Sequence, residues 1–280
     1  MASKHTEKKN VLITGCTTGS IGHALALEFC SKGFRVIATS RNIATMPDLA
    51  KNGLIDTVQL DVCNHDSIIK AKAEIENLTG GRLEFLVNNA GGTANLTPAA
   101  EIDIERAKQD FELNFWGAVR MVEAFTPLLM RSSAGHIVNI STTASAIPVP
   151  YVSMYGAAKS ALNYYGDVLR IELMPFNISV TTVITGATAN SKNRDSSTSE
   201  EGALNLRPGS LYTSGAQAQK DAYQNGVGQG HKQILVHRRS VDSGMGRTGI
   251  CPAVARRSLM YDMWGLKEVA EGQGKKRTRM

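Results

Sequence analysis

The chain has 280 residues, 42% of them hydrophobic, and a formal net charge of +6, which is enough apolar content for one large core. It has no run of about 18 uninterrupted apolar residues, which excludes a membrane-spanning helix, and its polar start, MASKHTEKKN, lacks an apolar signal core, so an unexported, cytoplasmic protein is expected. The charge excess is local: residues 231–280 carry 11 Lys and Arg against 4 Asp and Glu, residues 1–230 carry 20 against 21, and a nucleic-acid partner is therefore not expected. Cys16, Cys30, Cys63 and Cys251 form no CxxC pair, which argues against a bound metal or a disulfide framework.

In chain order, NVLIT (10–14) is a short β-branched apolar run ending at a glycine-rich turn, and IGHALALEFCSKG (21–33) has helical spacing closed by Gly33. RVIATS (35–40) and TVQLDV (57–62) read as strands, HDSIIKAKAEIENLTG (65–80) as a helix ending at glycine, and RLEFLVNN (82–89) as a fourth strand. A long helical stretch follows from about Ile102 to Met130, with Pro127 marking a kink or an end. GHIVNIS (135–141) is a fifth strand, Tyr151 to about Pro175 a helix, and ISVTTVI (178–184) a sixth strand. Strands written as continuous apolar runs and alternating with helices predict an α/β, Rossmann-type doubly wound parallel sheet in three αβα layers. One such domain is expected over residues 1–230. Beyond Thr185 the periodicity fades, and residues 191–230 are rich in Ser, Gly, Asn and Gln.

TGCTTGSIG (14–22) lies between the first strand and the first helix, where glycines allow a phosphate to approach backbone N–H groups at a helix N-terminus. The second strand ends ATSRN. An acidic residue there would select a free ribose 2′-hydroxyl; Ser40 and Arg41 offer a hydroxyl and a cation, which favours the 2′-phosphate of NADP(H), unless Arg41 is simply a solvated loop side chain. In SMYGAAKSALNYY (153–165), Tyr155 and Lys159 stand four apart on a helical face. An ammonium held near the phenol favours phenolate and lowers the Tyr155 pKa from its ordinary value of about 10.

Taken together, TGCTTGSIG, Asp61, NNAG (88–91), Asn114, STT (141–143) and the Tyr155/Lys159 pair resemble the short-chain dehydrogenase/reductase family over about residues 9–190. Within it, VLITGCTTGSIGHALALEF is most similar to fungal NADPH-dependent reductases of the 1-acyldihydroxyacetone-phosphate type. The resemblance implies that Tyr155 donates a proton to a carbonyl oxygen while NADPH supplies hydride, that Lys159 holds the nicotinamide ribose and keeps the phenol acidic, and that Asn114 anchors a water linking Lys159 to solvent. It also implies that Ile13, Gly15, Ile21 and Gly22 belong to the cofactor site, with either Gly19 or Ser20 approaching the pyrophosphate. Asp61 and Val62 then contact adenine, Asn89 the adenine ribose side and Thr188 the nicotinamide carboxamide, with Arg120, Ile184 and Gly186 completing the cofactor set. A homodimer or homotetramer through the two long helices is implied too, with Trp116 packed on its helix or at a subunit interface.

The family serine lies thirteen residues before the tyrosine, which is Thr142 here, with Ser141 one position earlier; neighbours on a strand face opposite sides, and Thr142 is favoured. The usual Pro-Gly after the sixth strand is Thr185-Gly186. The basic stretch from residue 231 has poor periodicity, with only KQILVH and VDSG hinting at a seventh strand. Three origins fit it: a diverged substrate lid, an arm for anionic lipid surfaces such as a lipid droplet or the endoplasmic reticulum, or a tail translated from a misassigned exon or shifted frame. The abrupt loss of pattern favours the last. The expected function is NADPH-dependent reduction of a lipid-like or secondary-metabolite ketone, with oxidation by the same residues, or a catalytically silent NADP-binding homologue, as alternatives. His136 and His231 have no nearby ligand set and are expected to be structural or solvated.

Overall fold

The computed structural model describes residues 8–93, 96–186 and 204–216, with the backbone of Ile234–Leu235. Six parallel strands are present: β1 (Asn10–Thr14), β2 (Arg35–Ser40), β3 (Ile55–Gln59), β4 (Phe85–Asn88), β5 (Gly135–Thr142) and β6 (Ile178–Thr185). Helices α1 (Ile21–Ser31), α2 (His65–Thr79), α3 (Ile104–Phe111), α4 (Gly117–Met130) and α5 (Ser153–Glu172) alternate with them. The sheet order is β3-β2-β1-β4-β5-β6, with a two-residue strand, β7 (Ile234–Leu235), beyond β6. The order in which strands are added across the sheet therefore reverses between β1 and β4, and a switch point of this kind leaves a crevice beyond the carboxyl ends of the strands.

Alternate side chains of each strand leave on opposite faces, so the apolar runs feed two cores. Leu12, Ile37 and Leu86 meet Ile68, Ile75, Phe125 and Leu128 of α2 and α4 on one side. Val11, Ile13, Val36 and Ala38 meet Ala26 of α1, together with Met46 and Leu49, on the other. At about 1.5–3 kcal/mol for each large side chain taken fully out of water, burial on both faces is what stabilises strands with so little polar alternation. One row is polar instead. Asn88, Asn139 and Thr182 are neighbours in register on β4, β5 and β6, and Asn88 Nδ2 donates to Asn139 Oδ1 at 2.9 Å.

Several elements differ from the sequence reading. β3 stops at Gln59 because Asp61 turns the chain, its Oδ1 accepting from the Cys63 N–H at 2.9 Å. The long helical stretch is two α-helices joined by a π-helical segment, Glu112–Trp116. There Asn114 Nδ2 donates to the Asp110 carbonyl at 2.8 Å, and a side chain entering the ladder in this way is a known cause of such a bulge. Pro127 neither ends nor breaks α4, which continues to Met130; so near the terminus its missing N–H removes one rung. The hint of a seventh strand in KQILVH corresponds to β7 (Ile234–Leu235), which pairs antiparallel with Thr185 and Ile184. VDSG and the rest of the basic stretch lie outside the described residues.

α5 lies unusually close to its neighbours. A Cβ on Gly156 would stand 2.9 Å from the Ala144 carbonyl oxygen, and one on Gly166 2.9 Å from Thr182 Oγ1 and 3.2 Å from Asn139 Nδ2. Gly166→Ala is therefore expected to lower stability by about 1–3 kcal/mol through overpacking, read from urea denaturation midpoints. An unchanged midpoint would mean that the helix can retreat without penalty.

Candidate active site

The turn after β1 is built on backbone conformations that side chains resist. Gly15 (φ 74°) and Gly19 (φ 77°) are both left-handed. A Cβ on Gly22 would run into the Gly15 carbonyl and stand 2.5 Å from Asn89 Nδ2, so α1 can start only where residue 22 is bare. Ser20 is the N-cap, accepting from the His23 N–H at 3.2 Å and donating to the Gly15 carbonyl at 3.2 Å. The Ile21 and Gly22 amides, in the first turn of α1, have no intrahelical acceptor, an arrangement suited to a pyrophosphate. Asn89 braces the turn from below, its Nδ2 donating to the Thr14 and Gly15 carbonyls at 2.7 and 3.0 Å. Ile13 is fully buried, and its carbonyl accepts from Thr39 Oγ1 at 3.1 Å. Burial pushes the Cys16 thiol up to about 12, against a smaller lowering by its backbone bond to Thr39, which leaves it unreactive.

At the end of β2, Ser40 is buried, with its hydroxyl 3.0 Å from Thr45 Oγ1. Arg41 is exposed, its carbonyl accepting from Gln59 Nε2 at 3.0 Å, and its guanidinium makes no ion pair among the described residues. Asp61, Arg41, Glu112 and Arg120 all act electrostatically on Cys63, whose thiol is raised first by burial and then by the two carboxylates. These groups thus lie near one another around Cys63. Val62 is buried and packs over Gly117. Arg120 is ion-paired with Glu112 at 2.5 Å.

Across the switch point, Lys159 is 3% exposed, and its Nζ donates to the Ile140 carbonyl of β5 at 2.9 Å. Burial lowers its pKa from 10.5 to about 8. Asn114 is locked by a reciprocal pair with Gly92, accepting from its N–H at 2.9 Å and donating to its carbonyl at 2.8 Å. A Cβ on Gly91 would lie 2.8 Å from Asn114 Oδ1 and 2.9 Å from Lys159 Nζ, so the NNAG segment, Asn114 and Lys159 converge on one point. Tyr155 is half-buried one helical turn before Lys159.

The two hydroxyls at the end of β5 have different surroundings. Ser141 is 2% exposed, its Oγ 3.5 Å from Ser145 Oγ. Thr142 is half-buried, its Oγ1 accepting weakly from the Ala144 N–H at 3.3 Å. Ile184 is in register with Ser141 at the end of β6, and Gly186 follows that strand half-buried. Thr188 and His231 lie outside the described residues. His136 stacks on Phe85 at 5.3 Å and bonds Thr181 Oγ1 at 2.8 Å. Among the described residues, no three His, Cys, Asp or Glu are grouped to hold a metal ion, and no helix is long and apolar enough to cross a membrane.

Three side chains near the site carry no motif. Tyr151 is buried in a left-handed conformation (φ 69°), its carbonyl accepting from the Thr97 N–H at 2.9 Å. Glu101 accepts from the Leu211 N–H at 3.0 Å, docking the 204–216 segment beside it. Asp48 bonds Thr18 of the glycine turn at 2.8 Å and pairs with His23. A histidine in the first turn of α1 was the only sequence feature pointing toward that last contact.

The strand order, the glycine turn after β1 and the convergence of the NNAG segment, Asn114 and Lys159 define a Rossmann-type nucleotide-binding scaffold. The short chain dehydrogenase family model matches residues 9–202, and the chain belongs to that family. It is 44% identical over 179 residues to the NADPH-dependent 1-acyldihydroxyacetone phosphate reductase of Schizosaccharomyces pombe, covering 64% of this chain and 60% of that one. It is 41% identical over 181 residues to the short-chain dehydrogenase ptmH of Penicillium ochrochloron, covering 65% and 66%. The aligned part thus spans just under two thirds of these curated relatives. Among solved structures, the closed form of a serine dehydrogenase complexed with NADP+ superimposes with a TM-score of 0.60 at 30% identity, over 64% of this chain and 72% of that one.

The buried ammonium of Lys159 has a consequence for stability. Between its lowered value of about 8 and its ordinary 10.5, the unfolded chain binds a proton that the folded chain does not, so this group's destabilising effect is full below pH 8 and fades as pH rises to 10.5. Lys159→Met is expected to be more stable than the parent at pH 7 by about 1–3 kcal/mol, with the gap closing toward pH 10.5. Urea denaturation across that pH range measures it, and a less stable variant at pH 7 would contradict the assignment.

Proposed function

We propose that the protein reduces a ketone to a secondary alcohol with NADPH, on a lipid-like or secondary-metabolite substrate. The observation that carries this reading is the buried Lys159 ammonium, fixed on Ile140 and converging with Asn114 one turn from Tyr155. The glycine turn, Arg41 and Lys159 would hold the dinucleotide, which when bound would supply the hydride for the carbonyl carbon. The Tyr155 phenol gives its proton to the carbonyl oxygen, leaving phenolate that the neighbouring ammonium stabilises. With its pKa near 8, Lys159 can return a proton to Tyr155 close to working pH, and Asn114 holds the Gly91–Gly92 backbone beside that path. The Thr142 hydroxyl, weakly engaged and half-buried, is assigned to hydrogen-bond the substrate carbonyl.

The preference for NADPH rests on Ser40 and the exposed Arg41, and agrees with the cofactors named for the Schizosaccharomyces pombe reductase and the serine dehydrogenase complex. The name of the Schizosaccharomyces pombe reductase supports the lipid-like substrate. A homodimer or homotetramer is proposed, since Trp116 of the π-helical segment and Tyr164 and Ile171 of α5 are 48%, 74% and 60% exposed.

Two experiments test these assignments. Tyr155→Phe should lower ketone reduction by about 10²–10⁴-fold while leaving NADPH binding, followed by fluorescence titration, within about twofold of the parent. Wild-type turnover in this variant would overturn the mechanism. Tyr164→Glu with Ile171→Glu should shift light-scattering mass toward the monomer, and an unchanged mass would remove α5 from the assembly.

A further inference from the structure

The two nicotinamide dinucleotides differ only at the adenine ribose, so selectivity depends on how accurately the residues facing that ribose are spaced from the pyrophosphate-binding turn. In this chain the two subsites belong to separate segments. β1 and β2 are paired up to Thr14 and Thr39; past those residues the spacing is set by contacts between the glycine turn and the loop carrying Arg41. The Thr18 N–H donates to the Thr45 carbonyl at 2.9 Å. Thr17 Oγ1 is 3.3 Å from Thr45 Oγ1 and 3.5 Å from Ser40 Oγ. Asp48 adds the charged link, with Oδ1 accepting from Thr18 Oγ1 at 2.8 Å and Oδ2 paired with His23 Nε2 in the first turn of α1.

We propose that Asp48 is a positioning residue for cofactor choice: by fastening the Arg41 loop to the glycine turn and to α1, it makes binding selective for the 2′-phosphorylated dinucleotide. The inference rests on the NADPH reading above. Its anchor is independent of the cofactor, because Met46 and Leu49 on either side of Asp48 are fully buried in the core beneath α1, so core packing holds the carboxylate in place. Burial alone would raise the Asp48 pKa; the bonds from Thr18 and His23 outweigh it and bring the value down to about 2, so the carboxylate stays ionised at any working pH.

The sign of the effect separates this role from two simpler ones. A carboxylate beside a phosphate site repels the ligand through space, so if Asp48 acted only as a charge, removing it would tighten NADPH. If it were only surface glue, its removal would change little, since the side chain is 48% exposed and exposed ion pairs contribute little, or would weaken both cofactors alike. A residue acting through the position of Arg41 must instead weaken NADPH and spare NADH.

Fluorescence titration of the full-length chain with NADPH and with NADH decides between them. For Asp48→Ala, the NADPH dissociation constant is expected to rise about tenfold and that for NADH to stay within about twofold. Thr18→Val, which removes the other half of the same bond, should move in the same direction. In an Arg41→Ala background, Asp48→Ala should cause no further loss of selectivity. Tighter NADPH binding, equal weakening of both cofactors, or an effect that adds in full to that of Arg41→Ala would overturn the inference. Equal wild-type affinities would overturn the NADPH reading and this inference with it, whereas a selective parent whose Asp48 variant remains equally selective would overturn the inference alone.

Discussion

An ammonium group held out of water dictates how closely α5 must lie on the sheet. Lys159 satisfies one of its protons at the Ile140 carbonyl, and that bond forms only if the helix backbone comes within a lysine's reach of β5. Gly156 and Gly166 permit the approach, one against Ala144 and the other against the Asn139–Thr182 row. Burying a charge in this way disfavours the folded state, and such arrangements persist where strain at a functional centre is offset by packing elsewhere. Here the offset comes from the two apolar cores on either face of the sheet.

The π-helical segment completes the arrangement from the other side. One extra residue in that turn places Asn114 where its side chain can bond both Gly92 and the Asp110 carbonyl. The NNAG strand end is thereby fixed between the glycine turn, which it braces through Asn89, and α5, which it meets through Gly91. The glycine turn and Lys159 thus share one backbone support.

Much of this was legible before any coordinates. Apolar runs at strand length located all six parallel strands, and the spacing of Tyr155 and Lys159 put them on one helical face, as α5 bears out. Local hydrogen-bond chemistry was less visible: the Asp61 turn that shortens β3 and the side-chain insertion that makes the π segment leave no trace in hydrophobic period. Asp48 was missed for a different reason. Its partners Thr18 and His23 lie 30 and 25 residues away, and a single exposed carboxylate in a loop has no pattern to betray it. A two-residue strand such as β7 carries too few side chains to announce its direction, and so its antiparallel pairing emerged only from the sheet. Thr142 and Ser141 were separable by alternation, and their unequal burial follows the same rule.

The brace beneath the glycine turn also bears on how the molecule is made. Asn89 is 75 residues from Thr14, and β1 finds its inner neighbour in β4 only after β2, α1, β3 and α2 have been emitted. Closing so long a loop is entropically demanding and slow compared with forming the intervening helices. The phosphate turn therefore acquires its final shape late, when the central strand pair closes, and a chain emerging from the ribosome lacks a finished dinucleotide pocket until β4 has docked. A dinucleotide in the surrounding solution can bias that closing step only once the pair has begun to form, so it acts as a clamp on a nearly complete fold and has little influence on its nucleation.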